Sequence, residues 1–145
     1  MSDPTPYRIL LADDHKVLRR SLKNILAGSG DLEVVGEAAD GLELLNLLKM
    51  STLAPHMAIV DITMPNLGGI ETTRRIKMAY PDVKILILTI HKDQEYLRQA
   101  FSAGAEGYLL KEDASTELFS AIETIRRGGI YISPLLSTRS GDERR

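Results

Sequence analysis

The chain contains no cysteine. A disulfide framework and a thiolate zinc site are therefore both excluded, and the composition suits a reducing compartment. Charge of one sign is also scarce: 20 acidic and 18 basic residues leave a formal net charge of -2. The two signs are interspersed, without the basic concentration that a duplex-binding surface requires. No apolar run approaches the roughly 18–20 residues of a membrane helix, and the polar opening MSDPTPYR is not a signal peptide. Neither a Walker-type loop nor a GxGxxG pattern is present, and no internal repeat or low-complexity segment stands out. What is there is 145 residues, enough for one domain with a core of its own. The expected location is the cytoplasm.

Apolar periodicity sets out the elements. Residues 7–12 (YRILLA), 57–61 (MAIVD), 84–89 (KILILT) and 107–110 (GYLL) are short apolar runs that predict strands. Residues 32–38 (LEVVGEA) alternate, with Glu33 and Glu37 opposite Leu32, Val34 and Ala38, which predicts an edge strand guarded by charge. Helical spacing follows each run: about 15–27, 41–50 with Asp40 as N-cap, 70–79, 94–103 with Gly104 as the C-terminal glycine, and 115–127. Strict alternation of strand and helix implies an α/β domain, a parallel sheet covered on both faces. Residues 135–145 (LLSTRSGDERR) lose periodicity and read as a linker or tail.

In such sheets ligands bind outside the carboxyl ends of the strands. Asp13 and Asp14 follow the first strand, Asp61 ends the third, Thr89 ends the fourth and Lys111 follows the fifth. Each has a bland explanation: a helix cap for the Asp pair, a turn residue for Asp61, a β-former for Thr89, a solvated charge for Lys111. Those explanations would have to hold independently at four strand ends, so the joint functional reading is the stronger. Three clustered carboxylates call for a divalent cation, and magnesium favours oxygen ligands. A lysine and a hydroxyl suit phosphoryl oxygens, and a carboxylate at the base can form an acyl phosphate. The chemistry is cation-assisted phosphoryl transfer.

The stretches LLADDH, IVDITMP, LILT and GYLLK, in this order, resemble the signatures of the response-regulator receiver family of two-component systems. The resemblance runs from about Arg8 to Pro134 and is assigned to a receiver domain over 7–134. It implies a flavodoxin-like, doubly wound five-stranded sheet in the order 2-1-3-4-5 with five helices. It implies that Asp61 is the phosphoacceptor, that Asp13, Asp14, Asp61 and the Thr63 carbonyl hold Mg, and that Thr89 and Lys111 contact the phosphoryl group. It further implies a switch in which Thr89 moves toward the phosphoryl oxygens and the Tyr108 ring turns inward behind it, and that Thr63 and His91 tune phosphoryl lifetime. The expected role is a signalling switch, not an enzyme beyond its own phosphotransfer and dephosphorylation. Its partners would be a histidine kinase and, through the fourth-helix face, a second copy.

GAEGYLLK and ELFSAIETIRRGGIYISP resemble the LuxR-type (nitrate-regulator-like) transcription factors, which carry a helix-turn-helix DNA-binding domain after a linker. Nothing after Pro134 matches such a domain, so DNA binding would come only through a domain outside this chain. A receiver fragment of a longer regulator is the favoured reading, and a stand-alone receiver the alternative.

Two departures stand out: Glu112 follows Lys111 where many members have proline, and the bulky Ile90 follows Thr89, where it would narrow access to Asp61. An aspartate-nucleophile phosphatase would want a second Asp two residues after the nucleophile, where Thr63 stands. A flavin module would want a Ser- and Thr-rich phosphate loop instead of the acidic DDH. Gly68 and Gly69 are assigned to the turn into the third helix, His15 to the first turn of a helix near the site, and His56 to a loop. The pairs Arg74-Arg75 and Arg126-Arg127 are assigned to solvated helix faces.

Overall fold

The computed structural model of the chain describes residues 5–50 and 52–136. Strands β1 (Tyr7–Ala12), β2 (Leu32–Ala38), β3 (Met57–Val60), β4 (Lys84–Thr89), β5 (Gly107–Leu110) and β6 (Tyr131–Ile132) form one sheet in the order β2-β1-β3-β4-β5-β6. Every neighbouring pair is parallel. Helices α1 (Lys16–Ala27), α2 (Gly41–Leu48), α3 (Gly69–Ala79), α4 (Gln94–Ser102) and α5 (Ala114–Arg126) cover it, with a 3-10 turn at Lys111–Asp113.

The central strands are apolar throughout because each has two faces to bury. Leu10, Ala58, Val60, Ile85, Ile87, Tyr108 and Leu110 point to one layer, which contains Leu44 and Leu48 of α2, Ile76 of α3 and Leu97 of α4. Their neighbours Ile9, Leu11, Met57, Ile59, Leu86, Leu88 and Leu109 point to the other, with Leu22 and Leu26 of α1 and Leu118, Ile122 and Ile125 of α5. Caps close the helices as the residue types dictate. The Asp40 carboxylate accepts the Glu43 N–H at 2.9 Å, and the Glu43 carboxylate accepts the Ala39 N–H at 2.8 Å. After α4, Gly104 adopts φ +106°, and the Ala105 N–H returns to the Ala100 carbonyl at 3.0 Å, the left-handed ending for which glycine is suited.

Four expectations need correction. The sheet has six strands, not five: Tyr131 and Ile132 add β6 outside β5, and two residues are too few to show any periodicity. A 3-10 turn at Lys111–Asp113 joins the five expected α-helices. Third, β2 does not alternate cleanly. Its register with β1 shifts between Ile9 and Leu10, so Leu32 and Val34 pack into the α1–α5 layer whereas Val35 and Ala38 pack into the other. A bulge of this kind sends the later residues of a strand to the opposite face. Fourth, Arg126 is not merely solvated: its guanidinium lies 4.7 Å from the Tyr7 ring centroid and pairs with Asp31 at 2.9 Å. Arg74, Arg75 and Arg127 keep to the surface, paired with Glu71 and Glu123.

Of residues 135–145, only Leu135 and Leu136 lie within the described residues. Residues 134–136 are helical, and Leu136 is fully buried in the layer that contains Tyr108.

Candidate functional site

The rim at the carboxyl ends of β1 and β3 is held by the sheet itself. One residue past each strand, the ladder continues: the Asp13 N–H donates to the Ala38 carbonyl and the Asp61 N–H to the Ala12 carbonyl, each at 3.0 Å. Both carboxylates are thereby fixed in position, and both are buried, at 3% and 4% exposure. Beneath Asp61 the chain turns into α3. The Gly69 N–H donates to the Ile62 carbonyl at 2.8 Å, and a Cβ at Gly69 would stand only 2.0 Å from the Asp61 carbonyl oxygen. The glycine assigned to this turn is thus also what allows the helix to sit directly under the acidic residue.

Lys111 reaches across from the end of β5. Its ammonium lies 2.9 Å from one Asp13 oxygen and 3.3 Å from one Asp61 oxygen, and its side chain is only 16% exposed. It is a bridging cation, not a solvated one. Burial and the charge of Asp13 hold the Asp61 carboxyl above the usual carboxylate range, against the opposing pull of Lys111 and the Ile62 N–H. For Lys111, burial alone would favour the neutral amine, but the hydrogen bonds and charges of Asp13 and Asp61 outweigh it and raise its pKa.

The Asp pair does not cap α1. The N-cap is His15, without a side-chain capping bond. Asp13 instead accepts the His15 backbone N–H at 2.8 Å, ahead of the helix. The His15 ring nitrogen Nδ1 stands 3.0 Å from Asp13 and 3.3 Å from the exposed Asp14. Asp13, Asp14, His15 and Asp61 each present one ligand atom, all within 4.8 Å of one another. Three hard carboxylate donors converging on one point fit an oxygen-seeking divalent cation. His15 lies near the site as expected, but as the N-cap of α1 and not within its first turn.

A cavity of about 740 Å³ opens above these groups, lined by Asp14, His15, Val17, Leu18, Asp61, Thr63, Ile90, His91 and Lys111. Thr63 and His91 meet at its mouth, with Oγ1 to Nε2 at 2.8 Å. The His91 ring also rests on Tyr96 of α4, centroids 4.4 Å apart. Ile90 stands at the same mouth, 69% exposed. Thr89 and Tyr108 are fully buried, and neither lines the cavity among the described residues. Both connect to it through the His91 backbone: the Thr89 hydroxyl oxygen accepts the His91 N–H at 3.3 Å, and the Tyr108 hydroxyl donates to the His91 carbonyl at 2.8 Å. Outside them, Lys92 pairs with Glu112 at 2.7 Å. The structure thus brings Asp13, Asp14, Asp61 and Lys111 into one cluster and joins Thr63, Thr89 and Tyr108 through His91.

Comparison with known proteins places these features in a family. The chain matches response regulator receiver domains over residues 9–123. It is 42% identical over 132 residues to the oxygen regulatory protein NreC of Staphylococcus carnosus, covering 90% of this chain and 60% of that protein. It is 39% identical over 127 residues to the transcriptional regulatory protein DegU of Brevibacillus brevis, covering 88% and 53%. Among solved structures, a LuxR-family two-component response regulator from Aurantimonas sp. SI85-9A1 superposes with a TM-score of 0.90 at 36% identity, covering 97% of this chain and 99% of that one. The chain spans 53–60% of the length of those two regulatory relatives.

Proposed function

The chain belongs to the response regulator receiver family, and from that premise we propose that it is a phosphoryl-accepting switch with Asp61 as the acceptor. The observation that supports this reading most is the buried Asp61 carboxylate at the base of the cavity, 3.3 Å from the Lys111 ammonium and beside Asp13. An Asp61 oxygen attacks phosphorus, the bond from phosphorus to the donor's nitrogen or oxygen breaks, and the leaving group departs with that electron pair. Lys111 exchanges its contact with the Asp61 carboxylate for one with the arriving phosphoryl oxygens, which keeps a cation against the growing negative charge. The Thr89 hydroxyl, now accepting from His91, turns to donate to a phosphoryl oxygen. That movement pulls on the His91 backbone, to which the Tyr108 hydroxyl is bonded, and so reaches the α4 side of the sheet. Thr63 and His91, joined across the mouth, govern the entry of water and hence phosphoryl lifetime.

Asp13, Asp14, Asp61 and the Thr63 carbonyl would hold magnesium. Bound there, the ion offsets the charge of the carboxylates and of the incoming phosphoryl oxygens. The donor would be a histidine kinase. Similarity to a LuxR-family response regulator and to the transcriptional regulatory protein DegU supports control of transcription through a C-terminal DNA-binding domain in a longer protein. Pairing of two copies through the α4 face and a cytoplasmic location belong to the same proposal. No helix among the described residues is long and apolar enough to cross a membrane.

The decisive experiment is incubation with magnesium and a small acyl phosphate, followed by intact-mass analysis and peptide mapping. One phosphoryl group on Asp61 is the expected product. Sustained hydrolysis of a generic phosphate ester would replace the switch by a phosphatase. A second expectation concerns the ion: Asp14→Ala weakens magnesium binding about tenfold or more, on the scale of losing a charged ligand, and His15→Ala weakens it far less, because imidazole is a poor magnesium ligand. Titration calorimetry distinguishes the two, and equal losses would remove the ligand assignment.

A further inference from the structure

We infer that Ser133, at the end of β6, is a positioning residue for Lys111; the inference rests on the reading of Asp61 as the acceptor and identifies a part of its machinery outside the rim. The ladder between β5 and β6 pairs Gly107 with Tyr131 and Tyr108 with Ile132. The next rung belongs to Ser133, whose backbone N–H donates to the Tyr108 carbonyl at 2.9 Å. Pro134 then begins a helical turn that leads the chain away toward the buried Leu136, and the place of the next ladder acceptor, opposite the Leu110 N–H, falls at Ser133. The Ser133 hydroxyl oxygen takes that place, accepting the Leu110 N–H at 2.8 Å. Ser133 is fully buried. Without its oxygen the Leu110 N–H would face a dry interior with no acceptor, which a folded chain avoids by shifting its backbone.

The position of this bond in the chain gives it a functional role. Leu110 immediately precedes Lys111, and the lysine must lean across the rim to bring its ammonium 2.9 Å from Asp13 and 3.3 Å from Asp61. On the opposite side β5 pairs with β4 as far as Thr89 and Leu110, and a 3-10 turn starts at Lys111 itself, so on the β6 side the Ser133 oxygen is what meets the Leu110 N–H. Ser133 therefore clamps the strand end from which Lys111 projects, and it clamps Tyr108 two residues earlier through the same residue's N–H. The carboxylates of Asp13 and Asp61 are held by β1 and β3, on the other side of β4, so the clamp bears on them only through the Lys111 ammonium.

The test uses the full chain with Ser133→Ala and with Ser133→Thr, which keeps the hydroxyl. Three quantities are read below each protein's melting temperature: the rate of phosphoryl uptake from a small acyl phosphate, magnesium affinity, and amide exchange at Leu110. In Ser133→Ala, uptake is expected to fall about fivefold or more, the change that loss of one buried hydrogen bond brings, while Leu110 exchange accelerates and magnesium affinity does not fall. Ser133→Thr restores uptake even if its added methyl lowers the melting temperature. Unchanged uptake in Ser133→Ala overturns the proposal. So does a parallel loss of magnesium affinity, which would mean general loosening, and so does failure of the threonine to restore the rate. If the unmutated chain itself gains no phosphoryl group, the Asp61 reading fails first and takes this inference with it.

Discussion

Asp61→Asn is expected to take up no phosphoryl group from an acyl phosphate and, in metal-free buffer at neutral pH, to unfold at a higher temperature than the unmutated chain. The first outcome follows from chemistry: an amide oxygen is too weak a nucleophile to replace the carboxylate. The second follows from the site's electrostatics. The Asp61 carboxyl is held above its ordinary pKa by burial and by Asp13, and Lys111 only partly compensates. A carboxyl whose pKa is higher in the folded state than in the unfolded one makes the folded state bind protons more tightly. Its ionised form therefore costs stability above the folded pKa, and that cost disappears as pH falls below the unfolded value. Asparagine never bears the charge, and Lys111 retains Asp13 as its partner at 2.9 Å. The difference between the two proteins should be present at neutral pH and shrink on acidification through the raised Asp61 pKa. Added magnesium should stabilise the unmutated chain and narrow the gap, since an ion that binds only the folded state stabilises it by mass action. Thermal melts across pH, with chelator and with magnesium, check both parts. A less stable Asp61→Asn without metal would show that the Lys111 contact outweighs burial.

Gly69→Ala should damage the protein more than its single added carbon suggests. The new Cβ would lie 2.0 Å from the Asp61 carbonyl oxygen, 2.8 Å from its carbonyl carbon and 2.9 Å from the Ile62 Cα. All three are backbone atoms, so no rotamer change relieves the clash. Either α3 retreats from the rim or the Asp61 backbone moves. Overpacking of a rigid site costs about 1–3 kcal/mol, and a clash against main chain belongs at the top of that range or beyond. At roughly 3 °C per kcal/mol for a domain of this size, the melting temperature should fall by about 9 °C or more. The rate of phosphoryl uptake should fall as well, since the acceptor itself is displaced. Gly30→Ala is the control: nothing lies within 4 Å of its Cβ, and its melting temperature should stay close to that of the unmutated chain. Similar melting temperatures for the two variants would show that α3 yields at no cost.

The legible parts of the fold are those with strong periodicity. The runs YRILLA, MAIV and KILILT are strands because both their faces are covered, and the leucine spacing of α1 and α2 marks helices with one buried face. The cluster of Asp13, Asp61 and Lys111 was legible for a different reason: parallel strands end on one rim, so residues far apart in sequence fall together once the strands are located. What escaped depends on geometry without a sequence signature. The two residues of β6 are too few to alternate. The bulge in β2 reassigns Ala38 to the other layer, although the apolar pattern alone would keep it with Leu32. His15 looks like the start of a helix, yet it stands before α1 with its ring against two carboxylates. The burial of Ser133 had no signal except the neighbouring Pro134, which marks where a strand must stop. The close approach at Gly69 has none: a glycine before a helix is consistent with any turn.

One consequence of β6 concerns what the sheet offers to other molecules. Open strand edges present unpaired N–H and C=O groups on which a foreign strand can be templated. By lying outside β5, Tyr131, Ile132 and Ser133 turn the strand that carries Tyr108 into an interior one and leave only a two-residue margin outward. The opposite margin, β2, is bent by its bulge and carries Glu33 and Glu37. A sheet whose long hydrophobic strands are all internal, between one stub and one kinked acidic border, is poorly suited to cross-β growth even at high concentration.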